Sequence, residues 1–547
     1  MPRWLIRLNE YVPIRYGAWI LSAVGLGAAL VHSVWQGSEW WLVAIFAGLV
    51  MLGYSDVSQT SRAVLRNYPV IGHLRYLLEF VRPELRQYFI ESDSEAAPFS
   101  RQQRSLVYQR AKGEPDKRPF GTQKDVYAVG YEWISHATSP THIASQDFRI
   151  TIGAGGSSCS HPYSASVFNI SAMSFGALSA NAILALNKGA KKGGFAHDTG
   201  EGSISRYHKE GGGDLIWEIG SGYFGCRDDN GRFDAAKFEQ NAKEPQVKMI
   251  ELKLSQGAKP GHGGVLPGPK VTPEIAEARG VMVGQDCVSP AAHSAFSTPV
   301  EMMQFIEKLR QLSGGKPVGF KFCLGHVWEW FAMVKAMQQT GIWPDFIVVD
   351  GAEGGTGAAP LEFTDHVGAP LQEGLLMVHN TLVGINERHR VKLGCAGKVI
   401  SAFDIARMMA LGADWCNSAR GFMFALGCIQ AQSCHTGHCP TGVTTQDPAR
   451  MRALVVPDKT ERVYRFHHNT LFALKELVQA AGLLHPHQIT ADHILKRVSH
   501  YETRRLSNLL RYAKPGELLA AERGVAPWLS PAFEQYWQRA QADSFTL

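Results

Sequence analysis

The amino-acid sequence predicts an α/β protein whose main domain is a (β/α)8 TIM barrel, flanked by an N-terminal transmembrane helical hairpin and C-terminal helices. From about Thr151, short apolar runs alternate with segments of helical spacing, which is typical of βα units. The runs are apolar on both faces, as the strands of a buried parallel sheet are. The repeat extends over about 280 residues, which favours a closed barrel over an open sheet.

The candidate strands are rich in β-branched and aromatic side chains and are bounded by turn residues. They are 167–172, 194–197, 247–252, 318–322, 346–350, 391–395 and 414–417. The candidate helices between them are 180–192, 300–312, 327–339, 371–388 and 402–411. Because the loops that follow barrel strands build the active site in this fold, the residues after each strand are the first candidates for chemistry.

Composition narrows the classes of function. A net charge of +6 over 547 residues is small and gives no reason to expect a nucleic-acid partner. Nine cysteines at uneven spacing do not form the disulfide framework of a small secreted protein, and they indicate a reducing compartment.

The N-terminal segment, residues 1–55, predicts two membrane-spanning helices joined by a tight loop. Residues 17–35 are long and apolar enough to cross a bilayer, and residues 40–54 form a second apolar run. Arginines flank the hairpin on both sides while the loop has no Lys or Arg; they are Arg3, Arg7, Arg15, Arg62, Arg66 and Arg75. By the positive-inside rule we expect a two-pass protein of the inner (cytoplasmic) membrane with a cytoplasmic catalytic domain. A signal peptide is the alternative for the first run, but the second run would remain as an anchor.

Three further segments follow the hairpin. Residues 56–150 are mixed and arginine-rich, and they predict a juxtamembrane linker region. Residues 151–452 contain the barrel and its cysteine-rich loop. Residues 453–547 predict a helical extension over the barrel, because residues 463–481 and 489–513 carry Leu, Val and Tyr at helical spacing.

A loop near the end of the barrel carries three thiols, Cys428, Cys434 and Cys439, followed by Pro440. Thiolates are soft ligands for iron and sulfide, and a Cys-Pro ending is common in iron–sulfur loops. Zinc with His435 or His438 as a fourth ligand is one alternative, although the spacing is not that of structural zinc sites. A disulfide with one spare thiol is the other.

Two features of the barrel region point to a phosphorylated, anionic cofactor. Gly397 follows the penultimate strand and Ala419 and Arg420 follow the last, which is where such barrels hold phosphate. Lys321 lies on a candidate strand, where a lysine is unusual unless it faces a charged group. It could hold the anionic edge of a flavin, or it could be salt-bridged.

The order of several motifs resembles the FMN-binding synthase domain of glutamate synthase over roughly residues 160–452. They are MSFGALS (173–179), TGEG (199–202), QGAKPGxGGxLPGxKV (256–271), DGxxGGTGAxP (350–360) and ALGCx5CHTxxCPTGVTTQDP (425–448). The resemblance implies a (β/α)8 barrel with FMN and a [3Fe-4S] cluster. In that family ammonia adds to 2-oxoglutarate, reduced FMN delivers hydride to the 2-imino acid, and the cluster passes electrons to the flavin.

The resemblance assigns roles to residues of this sequence. Cys428, Cys434 and Cys439 would bind the cluster, and a fourth ligand, Cys416 or Cys395, would make it [4Fe-4S]. The residues expected to contact the isoalloxazine and ribityl parts of FMN are Met173, Ser174, Gln256 and Lys321. Those expected to border the flavin and its phosphate are Gly355, Thr356, Gly357, Gly397, Ala419 and Arg420. Those expected around the keto acid are Glu201, Lys253, Gln256 and Lys259, and the residues expected to be catalytic are Lys321, Gln256, Glu201 and Lys259.

Departures from the family pattern bear on substrate and partners. The acidic residue of the GxGG loop is replaced by His262, and residues 203–208 replace the usual acidic-glycine run. We expect no glutamine amidotransferase domain, so ammonia or a partner-supplied amine would be the nitrogen source. No GxGxxG motif follows a strand, so electrons would come from a ferredoxin, a reductase subunit or quinone-linked exchange. The main expectation is reductive amination of a 2-oxo acid; the alternatives are an amine or amino-acid dehydrogenase and an electron-relay or anchor subunit.

Overall fold

The structure is a computed structural model that describes residues 14–94, 97–156, 158–520, 526 and 528–547. Arg3 and Arg7 lie outside the described residues. The chain divides into two compact units, Met1–Arg101 and Gln102–Leu547. The four-segment division made from the sequence stays a prediction.

The first unit contains an antiparallel pair of apolar helices, Gly17–Gln36 and Trp40–Ser58, followed by Ala63–Asn67, Gly72–Leu85 and the π-helical turn Arg86–Ile90. Small residues let the pair approach closely, since a Cβ on Gly53 would lie 2.2 Å from the Trp19 ring. Trp19 also donates a hydrogen bond from Nε1 to the Val50 carbonyl at 2.9 Å.

Both helices of this pair are long and apolar enough to span a membrane, and only 17% and 11% of their most apolar windows are buried. Large apolar side chains project outward along the pair, including Leu21, Val31, Val34 and Met51. Length and composition of this kind are weak indications of a membrane span, so the membrane anchor remains a prediction.

Fifteen strands occur among the described residues, and eight of them close into a parallel barrel in the order β4-β5-β6-β7-β10-β11-β12-β13. In chain order the strands are β1 (Glu132–Ile134), β2 (Arg149–Ile152), β3 (Tyr163–Ser166), β4 (Phe168–Ile170), β5 (His197–Asp198), β6 (Leu215–Ile219), β7 (Val247–Lys253), β8 (Gly264–Leu266), β9 (Cys287–Ser289), β10 (Val318–Phe322), β11 (Phe346–Asp350), β12 (Lys392–Ala396), β13 (Trp415–Ser418), β14 (Ile494–Arg497) and β15 (Thr503–Arg505). The ring closes where Cys416 of β13 pairs with Phe168 of β4. The predicted (β/α)8 barrel is therefore confirmed.

Strand β6 has no counterpart among the candidate strands from the sequence. Its five residues are all buried, and it pairs with β5 and β7. Glu218 interrupts its apolar pattern, which hid the strand. Trp217 stacks on Phe238 of the helix outside the barrel, so Glu218 points inward.

Helices alternate with the strands and cover the barrel. In the second unit and at its edge they are Arg101–Lys112, Ala180–Gly193, Arg206–Gly211, Ala235–Ala242, Pro273–Arg279, Pro299–Leu312, Val327–Thr340, Leu361–His366, Leu371–Gly384, Ala402–Ala410, Arg420–Leu426, Pro448–Met451, Val456–Ala480, Leu506–Leu509, Glu517–Ala520 and Pro531–Arg539. Side-chain caps fix several starts: the Ser179 hydroxyl accepts from the Ala182 amide, and Thr298 and Glu301 form a capping box.

The C-terminal segment is partly helical, as predicted. Val456–Ala480 packs closely on Ala180–Gly193, because a Cβ on Gly189 would lie 2.5 Å from Val463. The helix predicted over residues 489–513 is wrong. That segment contains the antiparallel strands β14 and β15. Strand β14 pairs with β1, which precedes the barrel in the chain.

Candidate functional site

The carboxyl-terminal ends of the barrel strands form the mouth of the barrel, and a group of buried charges lies just beneath it. Lys321 on β10 points inward, because its neighbour Phe322 stacks on Trp330 of the outer helix. Its ammonium group is ion-paired with Glu218 and lies 3.1 Å from Glu251 Oε2. Of the two readings of Lys321 from the sequence, the structure thus shows a salt bridge; a contact with a flavin stays a prediction.

Asp198 completes this group, with Oδ2 3.9 Å from the Lys321 ammonium group. We call Asp198, Glu218 and Glu251 the carboxylate cluster; all three side chains are buried. Burial alone would lower the pKa of Lys321, but the carboxylates outweigh it and raise that pKa well above its usual value. Burial raises the pKa of Glu251 to about 7, aided by repulsion from Glu218, and raises that of Asp198 well above its usual value, aided by repulsion from Glu251 and Glu218.

Lys253 connects the carboxylate cluster to the mouth. Its ammonium group lies 3.8 Å from Glu218 Oε1 and 3.1 Å from Glu201 Oε2. Although burial would lower the pKa of Lys253, these two carboxylates raise it. Burial would likewise raise the pKa of Glu201, but Lys253 lowers it, so the pair is ionised at neutral pH.

A cavity of about 370 Å3, open to solvent, lies above this pair and is called the mouth cavity. Its wall contains all four residues expected around the keto acid, namely Glu201, Lys253, Gln256 and Lys259, together with Ser221, Ser289 and the 261–264 loop. Lys259 is half-buried, and burial lowers its pKa. His262, the departure from the family pattern, is also in the wall, and its ring packs edge-on against Phe363.

Arg279 is a charged residue near this cavity that the sequence analysis missed. It is only 6% exposed, donates to the Phe175 carbonyl at 3.1 Å and has no carboxylate within ion-pair distance among the described residues. Its positive charge contributes to the lowered pKa of Glu201. A buried guanidinium without an acidic partner is costly unless an anion completes the site. The short helix Pro273–Arg279 alternates charged and apolar residues and gave no local signal for this role.

The loops after β4 and β5 pack on each other beside the cavity. Ser174 accepts a hydrogen bond at Oγ from the Gly202 amide at 3.2 Å, and Met173 is buried next to it. Gly200 must be glycine here, because φ is +65° and a Cβ would lie 2.7 Å from the Ser174 nitrogen. Met173 and Ser174 therefore stand at the mouth, and their contact with a flavin stays a prediction.

The loops after β11, β12 and β13 form the opposite side of the mouth. Gly397 directly follows β12, and Ala419 and Arg420 directly follow β13, as the sequence predicts. Arg420 donates from Nη2 to the Thr356 carbonyl at 2.9 Å, which ties the 355–357 loop to the end of β13. The open backbone of Gly357, where a Cβ would meet nothing within 4 Å, leaves room for a ligand.

The three predicted cluster ligands line one small cavity of about 250 Å3, together with Met423, Thr441, Val443 and Thr444. All nine cysteines lie in the described residues and none forms a disulfide. Burial raises the pKa of Cys428. It would do the same at Cys439, but hydrogen bonds from Thr441 and Thr444 lower that pKa to about 7.

The geometry of this cavity does not match zinc. In a tetrahedral zinc site with Zn–S bonds of 2.3 Å, sulfur atoms lie about 3.8 Å apart. Within the described parts of the chain, three ligand atoms all within 4.8 Å of one another occur only in the carboxylate cluster. The side chains of His435 and His438 are exposed and outside the cavity wall. Cys395 and Cys416 lie on β12 and β13 with their sulfurs 3.6 Å apart, also outside that wall.

The cysteine loop, residues 427–440, and the adjoining residues 441–446 are held against both sides of the mouth. Arg420, which contacts Thr356, also has Nη1 3.9 Å from the Cys434 sulfur. Gln446 donates to the carbonyls of Gly176 and Leu178 at 3.1 Å each, and Ser179 donates from Oγ to the Gly442 carbonyl at 2.7 Å. The loop is thereby fixed beside the glycine-rich loops.

The sequence of the chain was compared with known proteins. Residues 155–484 match the family model described as a conserved region in glutamate synthase. The glutamate synthase large subunit-like protein YerD of Bacillus subtilis (strain 168) is 37% identical over 507 residues, 86% of this chain and 95% of that protein. An archaeal-type glutamate synthase (NADPH) of Thermotoga neapolitana is 34% identical over 313 residues, 57% of this chain and 58% of that protein.

A solved structure of a flavocytochrome b2 variant with sulfite bound is 12% identical and covers 83% of this chain and 92% of its own, at a TM-score of 0.40. The barrel assignment stands on the strand register described above. The sequence matches define the class: the chain belongs to the glutamate synthase family, whose members are oxidoreductases that act on CH–NH2 donors. The recognition of the family and of the enzyme class from the sequence is confirmed.

Proposed function

We propose that this protein is a membrane-anchored FMN and iron–sulfur enzyme that reductively aminates a 2-oxo acid, 2-oxoglutarate to glutamate, with ammonia or a partner-supplied amine as the nitrogen source. The observation that carries the proposal is the mouth cavity, where Lys253, Lys259 and Gln256 converge on one wall. Arg279 lies close by without an acidic partner among the described residues. Such cations suit a dicarboxylate, because charge-assisted hydrogen bonds to carboxylates are strong.

The residues at the mouth fit FMN. The 355–357 loop, Gly397 and the start of helix Arg420–Leu426 follow the sixth, seventh and eighth barrel strands, where barrels of this kind hold phosphate. A Cβ on Gly397 would lie 3.0 Å from the Leu371 side chain, which would have to shift to admit it. Met173, Ser174 and Gln256 would hold the ring and ribityl parts. When bound, FMN supplies the hydride that reduces the imino acid.

The chain's own residues would bind, orient and keep charge in place. Lys259 would pair with a substrate carboxylate, and Gln256 would donate from its amide to the substrate. Glu201 keeps Lys253 ionised and oriented, because the two groups form a 3.1 Å ion pair. Lys321 remains protonated beneath the mouth, and its positive charge would favour an anionic ring above it.

The cysteine loop fits an iron–sulfur cluster with three thiolate ligands. Three thiols line one cavity walled by Met423 and Val443, and Cys439 is stabilised as a thiolate. A [3Fe-4S] cluster bound by Cys428, Cys434 and Cys439 is therefore the proposed form, and its chemistry would be one-electron transfer. A protein electron donor or acceptor, such as a ferredoxin or a reductase subunit, would be the partner.

The reaction is tested by a half-reaction. The detergent-solubilised protein is reduced with dithionite and mixed with single 2-oxo acids plus ammonium while the flavin absorbance is followed. We expect 2-oxoglutarate with ammonium to restore the oxidised spectrum. If every keto acid fails and amino acids bleach the oxidised protein, the enzyme is an amino-acid dehydrogenase and the proposed direction is wrong.

A Lys259→Met substitution is expected to weaken binding of the 2-oxo acid by about 10- to 100-fold, because a charge-assisted hydrogen bond contributes about 1.5–3 kcal/mol. The measurement is the concentration of 2-oxoglutarate that half-saturates flavin reoxidation. Lys237→Met, on an exposed helix, is the matched control and should bind normally. Equal affinities in wild type and Lys259→Met would remove Lys259 from the substrate site.

Deleting residues 1–58 is expected to convert the protein from a membrane form into a soluble one that keeps its cofactors. The deletion removes two helices whose apolar windows are largely exposed, and the barrel lies in the other compact unit. Ultracentrifugation after cell lysis, with and without a carbonate wash, is the measurement. If the truncated protein still sediments with membranes, the hairpin is not the main anchor.

A further inference from the structure

The interior of the barrel contains more buried carboxyl groups than buried ammonium groups. The carboxylate cluster brings three carboxyl groups to within 4.8 Å of one another by their nearest oxygens, and all three side chains are at most 1% exposed. Lys321 is the cation among them. Ionising all three carboxyl groups would leave uncompensated negative charge in a dry interior, which is prohibitively costly.

Three oxygens of the cluster lack a hydrogen-bond donor and show where a proton would sit. Asp198 Oδ2 and both oxygens of Glu251 are buried, and no N–H or O–H of the described residues donates a hydrogen bond to them, although Glu251 Oε2 lies 3.1 Å from the Lys321 ammonium group. Asp198 Oδ1, by contrast, accepts from the Gly200 amide at 3.0 Å. A proton on one of the two unpartnered carboxyl groups supplies the missing hydrogen bond to the other and removes one negative charge.

The cluster also has a direct connection to the mouth cavity. Lys321 contacts both Glu218 and Glu251, and Glu218 Oε1 lies 3.8 Å from Lys253. Lys253 in turn lies 3.1 Å from Glu201, which is in the cavity wall. Lys321 can donate a proton to Glu218 and regain one from the protonated carboxyl group of the cluster. Lys253 can donate a proton to Glu201 and regain one from Glu218. After both transfers the cluster has lost one proton and Glu201 has gained one, while Lys321, Glu218 and Lys253 have returned to their original protonation states.

We propose that the carboxylate cluster is a proton store that holds one proton shared between Asp198 and Glu251 and delivers it to the mouth cavity through Lys321, Glu218, Lys253 and Glu201. Delivery to a substrate rests on the proposed function, since reductive amination of a 2-oxo acid by two electrons consumes two protons besides those of ammonium. The lysine ammonium fills the centre of the cluster, so the cluster is not a metal site.

The charged groups that face the cluster are few. They are Lys321 from β10, Asp350 from β11, Lys253 from β7 and Glu201 from the loop after β5. Strand β4 carries no ionisable acid or base, and the ionisable groups of β12 and β13 are the thiols of Cys395 and Cys416, which contact each other with their sulfurs 3.6 Å apart, and Lys392, which as the first residue of β12 lies at the opposite edge of the barrel. The raised pKa values of Asp198 and Glu251 agree with a proton held at neutral pH.

The store is tested by infrared spectroscopy of the full-length solubilised protein at pH 7, in H2O and D2O. Wild type should show the carbonyl band of a protonated carboxyl group that shifts in D2O. Asp198→Asn and Glu251→Gln should each lose it, and both should fold, because an amide mimics the protonated carboxyl group. Glu329→Gln, at a half-buried carboxyl outside the barrel whose pKa burial also raises, is the control and should keep the cluster band.

Kinetic measurements distinguish a role in proton delivery from a purely structural role of the carboxylate cluster. Asp198→Asn and Glu251→Gln should change the pH profile of kcat near pH 7 and lower kcat by about 10-fold or more, with KM nearly unchanged, because positioned proton transfer contributes about 10²–10⁴-fold. If the carbonyl band is absent from the wild-type protein, or persists in both Asp198→Asn and Glu251→Gln, the carboxylate cluster does not store a proton. If the wild-type protein shows the carbonyl band but does not turn over, proton delivery to a substrate and the proposed function are both wrong, while the shared proton in the carboxylate cluster remains supported.

Discussion

A Cys434→Ser substitution is expected to remove the iron of the protein while leaving its flavin bound. Cys434 lies in the wall of the cavity lined by the three thiols, with Arg420 Nη1 3.9 Å from its sulfur, so the substitution removes one of the three thiolate ligands of the proposed cluster. A serine hydroxyl is a poor ligand for iron compared with a thiolate. Iron and sulfide analysis, together with the flavin absorbance of the purified variant, is the measurement.

The same variant should also divide the reaction into two parts. Dithionite should still reduce the flavin, and 2-oxoglutarate with ammonium should still reoxidise it, whereas turnover driven by a protein electron donor should fall below detection. Cys159→Ser is the control, because Cys159 lies outside the cysteine loop. Unchanged iron content in Cys434→Ser would refute the ligand assignment.

A Lys321→Met substitution is expected to lower the free energy of unfolding by about 3–5 kcal/mol at pH 8, since breaking a buried ion pair leaves uncompensated charge. The variant keeps three buried carboxyl groups and loses the cation that all of them face. Chemical denaturation followed by tryptophan fluorescence is the measurement. Lys392→Met, on β12 at the other edge of the barrel, should change stability far less.

The decrease in the free energy of unfolding caused by Lys321→Met should depend on pH in a defined direction. Carboxyl groups whose pKa is raised in the folded state bind more protons folded than unfolded, so their contribution to stability falls as pH rises from about 4.5 through the folded value of about 7 for Glu251. Removing the ammonium raises these pKa values further. The deficit of Lys321→Met should therefore be largest at pH 8 and shrink towards pH 5, and a deficit that grows on acidification would contradict it.

Much of the barrel could be predicted because its signal is local. The hydrophobic pattern of strands such as Phe346–Asp350 and of helices such as Val327–Thr340 is visible within a few consecutive residues. The family motifs follow directly after strands. The family resemblance assigned Gln256, Lys259 and Glu201 to one site, and this agrees with the fold, because loops after barrel strands meet at the mouth. Their meeting in one cavity follows from the fold class.

What the sequence did not reveal depends on contacts between distant segments. Glu218 was not among the candidate residues from the sequence, and only the inward direction of β6 makes it the partner of Lys321, 103 residues later. Arg279 ends an ordinary surface helix in the sequence. The segment containing β14 has helical spacing, yet pairing with β1 overrides local preference. Burial of charge and long-range strand pairing are tertiary effects.

The way the cysteine loop is held has a consequence for how the protein matures during biosynthesis. Its anchoring partners, Gly176, Leu178 and Ser179, belong to the loop after the first barrel strand and are translated 263 to 270 residues earlier than Gly442 and Gln446, which they contact. Those partners come within reach only when β13 joins β4. The barrel of the nascent polypeptide therefore closes before the cavity that the thiols line is complete, so a cluster of the proposed kind would be inserted only after this region has left the ribosome.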